Sequence, residues 1–312
     1  MNLKDSILKT IAYFDLFDFP LTAEEVKEYL YNYKKPLHIK EVKGTLDQMV
    51  EDGQIEELKN HFVLKGRGLI VETRKARKFI AEKLWNRTKL YGQYMRAVPF
   101  VRMVAVCNNL SYNNPNEESD IDLFIVIKPG RMWLARLIIS LILQFYGVRR
   151  YGNKVAGRFC LSFFVTTNKL NMEPLQIKQL DPYLAYWTKF LSPIYGENIY
   201  DEFRKENEVW IEEKYGLKFS DENKKHIYIS KENRKKKFME WLLGGWLGDL
   251  IEGFLKKSFK KRTLHKMKKV GPEASIIVSD DILKFHNHDR REEYLKQWEK
   301  LVQESSQKET DS

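Results

Sequence analysis

Cysteine is scarce: two residues, Cys107 and Cys160, among 312. Two cysteines supply neither a disulfide framework nor a zinc spacing. Both sit in apolar runs that read as strands, so each is expected to be a small buried hydrophobe. Residues 1–6 lack a signal-peptide pattern. The most apolar stretch, residues 137–148, falls short of the roughly 20 residues that a membrane span needs. There is no internal repeat and no long low-complexity tract. These absences lead us to expect a soluble chain with no membrane span, in the reducing cytoplasm.

Apolar residues, in contrast, are plentiful. Hydrophobic residues make up 43% of the chain and aromatics 13%, enough for a full core and too much for wholesale disorder. The length favours two or three domains. Net charge is +11, unevenly spread: residues 1–60 carry 8 Lys+Arg against 12 Asp+Glu, whereas residues 231–270 carry 13 against 4. The basic surface, and with it any anionic partner, belongs to the second half.

Hydrophobic periodicity divides the front into three helices and a hairpin. Ile7, Ile11, Phe14 and Leu16 form a helical stripe that stops at Pro20. Thr22 and Glu25 fit a capping box for the next helix. A third helix, about residues 39–51, ends at Asp52-Gly53, and two short strands flank Lys59-Asn60. Three helices then a hairpin resemble the winged helix-turn-helix. The third helix carries Glu41, Asp47, Glu51 and Asp52 beside Lys40 and Lys43. Phosphate contacts dominate DNA affinity, so this acidity argues against DNA binding and for a packing or protein-contact role.

A basic helix over about residues 71–94 follows, its Arg74, Arg77 and lysines expected on a solvated face. Strands are expected over 99–107, 120–127 and 158–165, with an apolar helix from Gly130-Arg131 to about residue 146. From residue 181 the signal is helical, including one long helix over about 235–261 whose wide apolar face has basic flanks. Such a face could rest on a membrane, although packing on the preceding domain is the simpler expectation. Phe285-His286-Asn287-His288-Asp289 is expected to begin a helix with Asp289 near its cap, in preference to a transition-metal site.

Asp120 and Asp122 stand two apart on an expected strand, so alternation directs both carboxylates to one face. Two converging carboxylates suit a hard divalent cation such as Mg²⁺ held against a triphosphate. The segment Ser119-Asp120-Ile121-Asp122-Leu123, with a strand and a polar loop before it and a helix after, resembles the DNA polymerase beta-type nucleotidyltransferases, including the kanamycin-nucleotidyltransferase-like and minimal bacterial members. The resemblance covers about residues 99–166.

It implies Mg²⁺-dependent transfer of a nucleoside monophosphate from an NTP to an unknown acceptor, a small molecule, an RNA end or a protein; the basic segment would suit a polyanionic acceptor or the triphosphate itself. Asp120 and Asp122 would be the catalytic metal ligands, for two ions in an active enzyme. The family's Gly-Ser pair falls on Asn108-Asn109, which with Ser119 and Arg131 would contact the triphosphate; Arg136 could also neutralise its charge. Asparagine is the non-glycine residue that best tolerates a positive φ. The strand over 158–165 lacks the family's third carboxylate, leaving Glu173 or Asp181 as replacements. A degenerate domain that binds nucleotide or a partner is therefore the alternative to an enzyme, with a winged-helix DNA-binding regulator as a third.

The expected architecture is α+β: a winged-helix-like domain (1–70), a linker helix (71–98), a nucleotidyltransferase-type mixed sheet with helices (99–180), a helical C-terminal region (181–300) and a disordered tail (301–312).

Overall fold

The computed structural model describes residues 1–228, 234–267, 275–286 and 289–307. The front is the expected winged helix. Helix α1 (Leu3–Asp15) is capped by the Asn2 side chain, which accepts from the Asp5 N–H. In α2 (Ala23–Glu28) the capping box is reciprocal: Glu25 N–H donates to Thr22 Oγ1 and Thr22 N–H donates to the Glu25 carboxylate. Helix α3 (Ile39–Glu51) buries Val42, Leu46 and Met49 and turns its charged positions outward. Strands β1 (Ile55–Leu58) and β2 (His61–Leu64) pair antiparallel. Lys59 and Asn60 both take positive φ between them, the backbone that a two-residue hairpin requires.

Helix α4 (Ile70–Arg96) leads into a mixed sheet. Its strands are β3 (Val101–Val106), β4 (Ile121–Ile127), β5 (Phe159–Thr166), β6 (Ser192–Tyr195), β7 (Ser275–Val278) and β8 (Ile282–His286), in the order β6-β3-β4-β5-β8-β7. Among the described strands only β4 and β5 pair parallel, and the crossover between them contains α5 (Met132–Phe145). Residues 123–127 of β4 are wholly buried, each large side chain contributing roughly 1.5–3 kcal/mol.

Alternation splits the strand between two cores. Phe124 and Val126 face α1 and the aromatics of α6 (Pro182–Lys189) and α7 (Glu197–Tyr215), whereas Leu123, Ile125 and Ile127 face α4 and α5. The first core runs without a break into the winged helix: Tyr13 stacks on Tyr186 at 4.2 Å. Helix α10 (Arg291–Gln307) seals it, with Trp298 Nε1 donating to the Lys9 carbonyl at 2.8 Å.

Several local expectations change. Arg74 and Arg77 of α4 are not on a solvated face. Arg74 donates to both Glu25 oxygens and to the Pro20 carbonyl, and Arg77 to the Phe17 carbonyl, Asp18 and Asn114. Both clamp the winged helix to α4, and Arg77 also holds the loop before β4 through Asn114, a long-range role that helical periodicity does not reveal.

The region after residue 181 supplies three strands as well as helices. They are short and lie towards the sheet's edges, and Pro193 suits the edge position of β6. The single long helix over 235–261 is two, α8 (Arg234–Leu242) and α9 (Trp246–Met267), broken at Gly244-Gly245, where glycine costs a helix most. Helix α10 continues past the expected tail boundary to Gln307, with Leu301 and Val302 packed on the core. Asp289 accepts from the Arg291 N–H at the start of α10, and His286 ends β8; His288 lies outside the described residues. Among the described residues no helix is long and apolar enough to cross a membrane.

Candidate metal centre

β4 and β5 run parallel, so their N-terminal ends meet at the mouth of the same core. Asp122 pairs with Cys160 across them, and the turn that follows β3 closes over the same spot, with Cys107 N–H donating to the Asp122 carbonyl at 3.1 Å. Ligand atoms of Asp120, Asp122 and Cys160 all lie within 4.8 Å of one another. The two aspartates share a strand face as expected, at the end of the row formed by Phe124 and Val126.

Each carboxylate has one strong partner. Asn108 Nδ2 donates to Asp122 Oδ2 at 2.8 Å, and Arg150 Nη1 donates to Asp120 Oδ2 at 2.6 Å. Burial and the neighbouring Asp120 charge push Asp122 up to about 6, against the pull of the Asn108 hydrogen bond. Burial and the same two carboxylates push the Cys160 thiol well up, so it stays protonated near neutral pH. The centre is therefore short of positive charge: two carboxylates and a neutral thiol are balanced by one half-exposed guanidinium.

Asn108 takes a φ of 56°. Asparagine tolerates this left-handed backbone, and its side chain also orients Asp122. The other expected phosphate contacts lie elsewhere. Asn109 lines a small cavity beside Phe14, Phe17 and Tyr183 under the winged helix. Ser119 donates to and accepts from Asn116, shaping the loop. Arg131 follows the far end of β4, where it donates to the Leu243 and Gly244 carbonyls and pairs with Asp249. Arg136 packs over Phe164 and Phe285.

Neither replacement carboxylate reaches the centre. Glu173 pairs with Lys214, and Asp181 caps α6 and pairs with Arg291. Among the described residues the aspartates' third neighbour is Cys160, which composition alone presents as a core residue. A parallel pairing of the strands at 120 and 158 would have placed it there. Arg150, 30 positions from Asp120, carries no such signal.

The winged helix, the mixed sheet and the Asp-Asp-Cys cluster are together consistent with a nucleotidyltransferase-like fold. No family model, no curated protein and no solved structure matches the chain.

Proposed function

We propose that Asp120 and Asp122 hold one divalent cation, Mg²⁺ in the first instance, together with the phosphates of a nucleoside triphosphate. The observation that carries this reading is the pair of converging carboxylates at the mouth of a core strand, with Asp122 driven towards protonation for want of positive charge.

The donor set argues for one ion. Two carboxylates suit one hard cation that keeps phosphate and water as its remaining ligands. A protonated thiol is a soft, weak donor, and it occupies the position where a third carboxylate would hold a second ion. When bound, the cation would neutralise phosphate charge. The chain's own residues do the rest: Asn108 fixes Asp122, and Arg150 balances Asp120 with a guanidinium equally suited to a phosphate oxygen.

Transfer of a nucleoside monophosphate to an acceptor is a second reading, favoured by a cleft of about 1050 Å³ that meets the loop following Asn108. Ser111, which donates to the Asn108 carbonyl, lines this cleft. So do Arg74, Lys78, Lys89 and Lys225, against Glu25, Glu28, Glu82 and Glu222. This balance of charge suits an acceptor bearing both signs better than a polyanion.

Equilibrium dialysis with labelled NTPs, with and without Mg²⁺, tests the first reading. Saturable, Mg²⁺-dependent binding that disappears in Asp120→Asn/Asp122→Asn is expected; binding that persists in that variant places the nucleotide elsewhere. Covalent transfer of label in the same mixtures, abolished by the same variant, would add the second reading.

A further inference from the structure

The helix pair α8 and α9 turns Leu243, Ile251, Leu255 and Phe259 inward onto the second core, and polar ties reinforce that packing. Its three acidic side chains tie it to the domain. Glu240 grips Arg102 at 2.8 and 3.1 Å. Asp249 pairs with Arg131 at 2.6 Å. Glu252 accepts the Trp133 and Leu134 N–H groups at the start of α5, both at 2.8 Å. Lys236, on the inner side, is buried against the Val101 carbonyl and the Tyr195 hydroxyl.

The outer side carries the large apolar residues: Phe238 is 60% exposed, Trp241 77%, Trp246 74%, Leu250 62% and Phe254 72%. Isolated exposed apolar residues are ordinary, but a contiguous helical face of them marks a surface made for a partner.

The chemistry of the rim identifies that partner. On α9, Trp246, Leu250 and Phe254 recur every fourth residue, and the same stripe continues into the exposed Lys257 and Lys261. On α8, exposed Arg234, Lys235 and Lys237 precede Phe238 and Trp241. Residues 234–267 hold ten basic and three acidic residues, and all three acids are engaged by the domain. An apolar strip bearing tryptophans, bordered by lysine and arginine and with no unpaired carboxylate among its described residues, matches an interface of acyl chains below and anionic headgroups above. A second copy would bring the same positive rim against itself.

We propose that the outer face of α8 and α9 seats the protein on an anionic membrane surface, lying in the headgroup layer without crossing it. The seat is independent of the metal centre, which lies at the opposite end of β4 from Arg131 and the break between α8 and α9 that it holds.

Flotation of the full chain with vesicles of phosphatidylcholine alone, and of equal parts phosphatidylcholine and phosphatidylglycerol, tests the proposal. Retention on the mixed vesicles, weakened by salt, is expected. It should fall about ten-fold in Trp241→Ser/Trp246→Ser, whose exposed sites leave the core untouched. Brominated lipids should quench the tryptophan fluorescence of the unmutated chain, a readout that needs no variant to fold. The proposal is overturned if the unmutated chain fails to partition, if the double variant binds vesicles equally well, or if light scattering shows a dimer that the double variant abolishes.

Discussion

Cys160 faces Asp122 across the parallel pair β4 and β5, its sulfur within 4.8 Å of the carboxylates of Asp120 and Asp122. A carboxylate there would supply a third hard ligand. Cys160→Asp is therefore expected to raise Mn²⁺ affinity about ten-fold, read by titration of the free Mn²⁺ electron paramagnetic resonance signal. Without metal the third negative charge adds repulsion, and the melting temperature should fall. Unchanged Mn²⁺ affinity would show that position 160 does not border the ion.

The centre should also leave a mark on stability against pH. Asp122, pushed up to about 6 by burial and by Asp120, keeps its proton in the folded chain over a range where the unfolded chain has already lost it. The native state then binds more protons than the unfolded state between about pH 4 and 6, so stability falls as pH rises through that window. The total loss is on the order of 3 kcal/mol. A divalent cation binds the ionised form, so stabilisation by Mn²⁺ should grow as pH rises past about 6. Asp122→Asn should flatten the metal-free profile and abolish the Mn²⁺ shift. Thermal melts on both sides of that pH decide; a variant profile that still slopes assigns the titration to another group.

Asn108 serves the centre through both its backbone and its amide. Its φ of 56° is costly for alanine, and its amide donates to Asp122 at 2.8 Å. Asn108→Gly keeps the backbone and loses the hydrogen bond; Asn108→Ala loses both. Urea denaturation should place the alanine variant about 1 kcal/mol below the glycine variant, with metal binding weakened in each. Equal stability in the two variants would mean that the turn does not need its left-handed residue.

What the sequence made legible follows the range of the interactions. The Thr22–Glu25 box, the turn at Lys59-Asn60 and the shared face of Asp120 and Asp122 are set within a few residues, and local periodicity and capping rules reach them. Cys160 and Arg150 join the centre through strand pairing and a loop 30 positions away, and no local pattern encodes that. Arg131 shows the converse error. Its place after the metal strand suggested phosphate contact, but β4 runs away from the site, so an arginine beyond its C-terminal end meets the α8–α9 turn instead. The late strands β6, β7 and β8 are short elements at or next to the sheet's edges within a helical background, where a period of two has too few residues to register.

Asp181 gives the last test. It is 2% exposed, accepts the Leu184 and Ile177 N–H groups, and receives Arg291 Nη1 at 2.8 Å. Arg291 is itself buried and also donates to the Leu175 carbonyl and to Asp289. A carboxylate so placed joins α6 to α10 and is not available to the metal. Removing only the guanidinium would strand a charge inside the protein, so Arg291→Leu should cost about 3–5 kcal/mol. Asp181→Asn/Arg291→Leu, which removes both charges, should recover part of that loss. A double-mutant cycle in urea measures the coupling. Additive effects would show that the two side chains act separately, and would return Asp181 to consideration as an acid serving the neighbouring sheet.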